Sequence, residues 1–121
     1  MKILLDTNFI LTCIKEKLDF SDASRFGKVV IPEEVINELK GLSEKSRGLQ
    51  KERAILALDI IRANKFKIIK LKKKFVDEGI REYVKKGGGV VVATLDRELK
   101  KSLKNKAKIL VIRAKKRFEI V

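Results

Sequence analysis

Apolar residues follow two rhythms along this chain, and the rhythms alternate. Runs at 2–5, 28–31, 67–71, 90–93 and 109–112 are short and rich in Val, Ile and Leu. They read as strands buried on both faces. At 9–17, 32–43, 48–64, 75–86 and 97–104 the apolar side chains recur at helical spacing instead. Residues 118–121 add a candidate short last strand. Such alternation predicts an α/β fold with a parallel sheet covered by helices on both faces. Pro32 suits the first position of the second helix, with Glu33 and Glu34 at its positive end. Gly87-Gly88-Gly89 closes a helix and enters a strand, the reverse of a phosphate-binding loop, so it reads as a C-cap and turn.

The acids stand out against this framework. Asp6 directly follows the first strand and Asp96 follows the fourth within three residues. Ligands of open parallel sheets collect beyond the carboxyl ends of the strands. Each residue near these ends also has a local explanation: Asp96 can N-cap a helix beginning at Arg97, and Asn8 one beginning at Phe9. On the second helix Val35, Leu39 and Leu42 form the apolar stripe; Glu38 falls at its edge, while Glu33 and Glu34 lie farther out. On the helix from Phe75, Asp77 lies beside Ile80 and Val84, whereas Glu78 and Glu82 point to solvent. A local pair with Arg81 is the simple account of Asp77. Jointly, Asp6, Glu38, Asp77 and Asp96 would repel one another in one cleft unless a divalent cation sat among them. Oxygen-only ligands select Mg²⁺ or Mn²⁺ over zinc.

Charge supplies the second clue. The formal net charge is +14, and it is uneven: residues 1–60 carry 10 basic and 10 acidic side chains, residues 61–121 carry 20 and 6. A proteome-wide preference for Lys would act on both halves, so the asymmetry points to a polyanion, most commonly nucleic acid. The chain contains no His, which excludes His-based acid–base chemistry and the common zinc sites. Cys13 is the one cysteine, so no internal disulfide forms and a cytoplasmic setting is expected. No apolar run approaches the ~20 residues of a membrane span, and Ile3-Leu4-Leu5 meets an acid too soon for a signal peptide. A chain of 121 residues is expected to form a single domain over 1–121.

Asp6-Thr7-Asn8, Ile31-Pro32-Glu33-Glu34-Val35-Ile36-Asn37-Glu38-Leu39, Val76-Asp77-Glu78 and Val92-Ala93-Thr94-Leu95-Asp96 occur in that order. As an ordered set over nearly the whole chain, they resemble the PIN-domain nucleases. The closer resemblance is to the branch holding archaeal and eukaryotic ribosomal-RNA-processing nucleases; small toxin endonucleases share the domain. The resemblance implies a three-layer α/β/α sandwich with a central parallel sheet. It also implies hydrolysis of single-stranded RNA with Mg²⁺ or Mn²⁺, leaving a 5′-phosphate. Carried onto this chain, Asp6, Glu38, Asp77 and Asp96 are the catalytic metal ligands, Glu38 directly or through water. Asn8 and Thr94 support them by hydrogen bonds. Glu78 stands where many members have a second Asp, and Leu95 where many have Asn, departures that bear on tuning of the site.

Arg97, Lys100, Lys101 and Lys104 then become candidate RNA-binding residues, with Lys106 and Lys108 nearby. Arg113, Lys115, Lys116 and Arg117 follow the last long strand. Phosphate contacts of this kind give affinity without sequence information. With no Trp, one Tyr and six Phe, several at core spacing, no base-stacking platform is evident. Sequence choice is expected from RNA shape or a partner. The resemblance admits a homodimer, and either ribosomal precursor particles or an antitoxin protein as partner; no membrane is expected. Haloacid-dehalogenase phosphatases need a second Asp where Asn8 stands, and receiver domains need an acidic pair that is missing. The remaining alternative is a catalytically silent PIN-like protein that binds RNA as a scaffold in a ribonucleoprotein.

Overall fold

A computed structural model describes residues 1–114 and 116–121; Lys115, one of the late basic residues, lies outside the described set. The elements run β1 (Lys2–Leu5), α1 (Thr7–Lys15), a 3-10 turn (Phe20–Arg25), β2 (Lys28–Pro32), α2 (Glu33–Lys45) and α3 (Gly48–Asn64). They continue with β3 (Lys67–Ile69), α4 (Val76–Lys86), β4 (Val90–Ala93), α5 (Arg97–Ser102), β5 (Lys108–Arg113) and β6 (Arg117–Ile120). One six-stranded sheet has the order β3-β2-β1-β4-β5-β6. Its pairs are parallel except β5 with β6, which is antiparallel.

Because strand side chains alternate, the sheet sorts its residues between two cores. Ile3, Leu5, Val29, Ile31, Val91, Ala93 and Leu110 pack with Phe9, Ile10 and Cys13 of α1, Val35 and Leu39 of α2, and Ala57, Leu58 and Ile61 of α3. Leu4, Val30, Val90, Val92, Ile109 and Val111 face Ile80 and Val84 of α4 with Leu99 and Leu103 of α5. This is the three-layer α/β/α sandwich. Burial also pushes the Cys13 thiol up to about 12, assisted by Asp19, which disfavours the reactive thiolate.

Strand order reverses at β1, which pairs with β2 on one side and β4 on the other. Open sheets part their connections at such a switch point and leave a crevice beyond the strand ends. The Leu5↔Ala93 register and the Asp6 N to Ala93 O hydrogen bond of 3.0 Å bring Asp6 and Thr94 out of the sheet side by side.

Several expected boundaries shift for local reasons. Pro32 ends β2 with ψ 138°, and α2 starts at Glu33. Helix α1 begins at Thr7 with Asp6 as its cap, so Asn8 sits in the first turn and caps nothing. The strand expected over 67–71 stops at Ile69 and is an exposed edge; its Lys67 and Ile68 face solvent. Beyond it Leu71 and Lys72 donate their amides to the Glu34 carboxylate, at 3.1 Å each, and leave the sheet. Helix α5 stops at Ser102, where the Ser102 hydroxyl donates to Leu99 O at 2.8 Å. Gly87–Gly89 does form a helix end and turn, with Gly89 at φ 71° immediately before β4.

Candidate active site

Asp6 is the anchor of the crevice. It is only 5% exposed, yet it is an acid, because its position directly after β1 places it at the switch point. Oδ1 accepts from the Thr7 amide at 2.8 Å, and Oδ2 accepts from the Thr94 hydroxyl at 2.9 Å. Burial first, with the nearby charges of Asp77 and Glu38 adding to it, raises its pKa to about 6 against the opposing pull of those two hydrogen bonds.

The other acids arrive from three elements. Asp96 N-caps α5, its Oδ1 accepting from Glu98 N at 2.9 Å and Leu99 N at 3.1 Å. Thr94, fully buried, also accepts from the Asp96 amide through its hydroxyl at 3.2 Å. Asp77, in the first turn of α4, is half-buried. Its pKa is raised first by that burial and then by the Asp96 charge, which outweigh the opposing Arg81 charge. Arg81 itself gives its Nε to Ser102 Oγ at 2.9 Å, so the local Asp77–Arg81 pair is not formed as an ion pair among the described residues. Glu38 reaches over from α2 to accept from the Thr7 hydroxyl at 2.7 Å.

Two expectations need correction. Glu38, placed at the edge of the buried stripe by spacing, is solvent-exposed, and Glu34 is the more buried of the two. The inward turn of Glu34 comes from its clamp on the Leu71 and Lys72 amides. Burial acts to raise the Glu34 pKa, but those donors, with Lys70 nearby, hold it below its ordinary value. Asn8 touches no carboxylate; its Oδ1 accepts from Leu95 N at 3.4 Å, linking α1 to the end of β4. Thr7, which joins Asp6 to Glu38 through its amide and hydroxyl, escapes a reading confined to acids; the signal is its place inside Asp6-Thr7-Asn8.

The donor chemistry fits a hard divalent cation. Every candidate ligand is a carboxylate, the pairs face one another as like charges, and the ion pairs among the described residues involve none of the four. Among the described residues no three such side chains are drawn together closely enough to enclose an ion. Glu38 and Asp77 share an open cleft with Glu34, Asn37, Lys74, Phe75 and Val76. Arg97, Lys100, Lys101 and Lys104 line a shallow hollow with Ile109 and Val121, beginning one residue after Asp96. Glu78 is exposed beside Lys73, Arg81 and Lys85, and Leu95 is half-buried against the larger core.

Sheet order and site together define a PIN-like domain, and the chain belongs to that family: residues 3–117 match the family model described as a PIN like domain. It is 35% identical over 127 residues to Ribonuclease VapC4 of Methanocaldococcus jannaschii, covering 98% of this chain and 95% of that protein. Among solved structures it is similar to the PIN domain endonuclease Utp24, with a TM-score of 0.79, 24% identity, and coverage of 98% and 90% of the two chains. A domain of a functionally unknown protein from the same Methanocaldococcus matches with a TM-score of 0.61 at 17% identity, covering 93% of this chain and 91% of that one. These two structural likenesses are of fold. Among the described residues no helix is long and apolar enough to cross a membrane.

Proposed function

We propose that this chain is a divalent-metal-dependent endoribonuclease hydrolysing phosphodiester bonds of single-stranded RNA. The observation that carries the reading is a buried acid, Asp6, hydrogen-bonded to Thr94 at the switch point, its pKa raised by burial and then by Asp77 and Glu38. A carboxylate kept in that position costs stability unless a cation compensates it. Support also comes from the relative named Ribonuclease VapC4.

Asp6, Glu38, Asp77 and Asp96 are the residues that would hold Mg²⁺ or Mn²⁺. Bound there, the cation supplies Lewis acidity that activates water and offsets charge on the departing oxygen. Thr94 fixes Asp6 and the backbone of Asp96 relative to each other. Asn8 holds the end of β4 to α1. Arg97, Lys100, Lys101 and Lys104 take the RNA backbone away from the cleft along α5. The chemistry is the same whether the RNA is a ribosomal precursor or the target of a toxin restrained by an antitoxin, in the cytoplasm and as monomer or homodimer; a map of cut sites on total RNA separates the two.

That no three of these acids gather into an ion-sized group among the described residues favours one rival, a silent RNA-binding scaffold. Cleavage of a mixed single-stranded RNA with Mn²⁺, compared between the protein and Asp96→Asn, decides. Asn caps helices as well as Asp does, so the variant keeps α5 while losing the charge. Manganese-dependent cutting lost in the variant supports the nuclease. No cutting by either, with salt-sensitive binding intact, supports the scaffold.

A further inference from the structure

We infer that Phe75 is a base-stacking subsite, on which an unpaired base of the RNA lies beside the acid cleft. The chain has six Phe; Phe9, Phe20 and Phe118 are buried, Phe26 and Phe66 are half-buried, and Phe75 is 62% exposed. Its position gives the ring no structural task. Phe75 is the N-cap residue of α4, a place where Ser, Thr, Asp or Asn stabilises a helix and Phe cannot, and its side chain makes no capping bond. Neither of the two cores includes it. An aromatic ring left in water at a position that rewards a small polar residue calls for an occupant.

Its surroundings specify that occupant. Phe75 lines the same cleft as Glu38 and Asp77, two residues before Asp77 in sequence. Lys74 Nζ lies 5.5 Å from the ring centroid, over one face, and Lys72 and Lys73 precede it as exposed cations. An apolar protein segment would gain nothing from this cationic collar. A nucleic-acid strand meets both parts at once: a base on the ring, phosphates on the lysines. Asn37, exposed in the same cleft, offers an amide to a base edge.

The subsite is also pre-set. The chain before it is pinned where Leu71 and Lys72 donate to Glu34, and where Leu71 fits against Gly79. A strand entering the cleft therefore finds the ring already in place. This inference rests on the nuclease reading for the choice of RNA, but its test does not need cleavage.

The chain has no Trp, so Phe75→Trp introduces its only indole. Its emission would be followed, with chelator present, on adding a short oligouridylate, an abasic oligonucleotide of equal length, or polyphosphate. Quenching by the base-bearing strand alone is the expected result. Equal responses to all three would overturn the subsite. In parallel, affinity for the oligouridylate should fall about tenfold in Phe75→Ala and Phe75→Leu and return in Phe75→Tyr. Full affinity in Phe75→Leu shows that stacking on the ring contributes nothing to binding and also overturns it. Base-dependent quenching without any Mn²⁺-dependent cutting keeps the subsite and removes the nuclease. Cutting that proceeds with an unquenched indole does the reverse.

Discussion

The Thr94 hydroxyl joins two acids that are ninety residues apart in sequence: it donates to Asp6 Oδ2 and accepts from the backbone amide of Asp96. One small, fully buried side chain thereby ties the ends of β1 and β4 together just past the Asp6 N to Ala93 O bond. Valine at this position preserves shape but leaves Asp6 Oδ2 and the Asp96 amide short of a partner. Thr94→Val should lower stability by about 1–3 kcal/mol, and Mn²⁺-dependent cleavage on the order of 10–100-fold, while Thr94→Ser retains most of both. Denaturant unfolding beside cleavage rates checks this.

Asp6 makes stability depend on pH in an unusual direction. Its folded pKa of about 6 exceeds the ordinary 3.8, so the folded chain holds a proton that the unfolded chain releases. The resulting stabilisation is complete below about pH 4 and is lost as pH rises through 6. At pH 7.5 without metal, Asp6→Asn should therefore be more stable than the parent by about 1–2 kcal/mol, less than the full shift because one hydrogen bond now meets an amide NH₂. The gap should vanish near pH 4. Added Mn²⁺ should raise the melting temperature of the parent and leave the variant unmoved; equal response in both would remove Asp6 from the metal site.

Glu34 predicts local rather than global change. Replacing it by Ala removes the acceptor for two amides, so amide exchange at Leu71 and Lys72 should quicken by about tenfold or more while β1 and β4 stay protected. Glu34→Gln, which keeps one acceptor oxygen, should fall between.

At Gly79 two effects oppose each other. Ala gains about 1 kcal/mol in helix propensity, but its Cβ would stand 2.6 Å from Leu71 Cβ. That atom sits next to backbone and cannot swing aside, so the clash wins and Gly79→Ala should cost about 1–3 kcal/mol. Combining it with Leu71→Ala, which removes the Cγ and Cδ1 contacts at 3.2 and 2.9 Å but keeps the Cβ, should relieve the clash only in part, whereas Leu71→Gly should relieve more of it.

Along α5 the expectation is electrostatic. Neutralising Lys100, Lys101 and Lys104 should flatten the salt dependence of RNA binding, by roughly 0.7 in log–log slope for each phosphate that no longer meets a cation. Binding that keeps its slope would place the RNA backbone elsewhere.

Much of this architecture is legible in the sequence. Helix α3 occupies the expected 48–64, and the β1, β2, β4 and β5 runs appear within one residue, because continuous Val and Ile between turn residues have few other uses. The junctions are harder. Pro32 suits the end of a strand and the start of a helix equally, and only ψ decides. Glu34 looks like a solvated first-turn acid until residues 37 positions later come to lie against it. The 3-10 turn at Phe20–Arg25 is too short to show a period, and the antiparallel direction of β6 leaves no mark in four residues. Phe75 lies off the apolar stripe of Val76, Ile80 and Val84 and precedes the helix as its cap, so periodicity is silent on its ring; its place in the cleft depends on how the chain enters α4.

The two margins of the sheet have a consequence for life at high concentration. Strand β3 is three residues long and set among lysines, and β6 alternates Arg117 and Glu119 with its apolar residues, Glu119 pairing with Arg113 at 3.1 Å. Short, charged edges refuse the strand-to-strand addition that seeds fibrils. Copies of this chain that meet are thereby steered away from pairing edge to edge through the sheet.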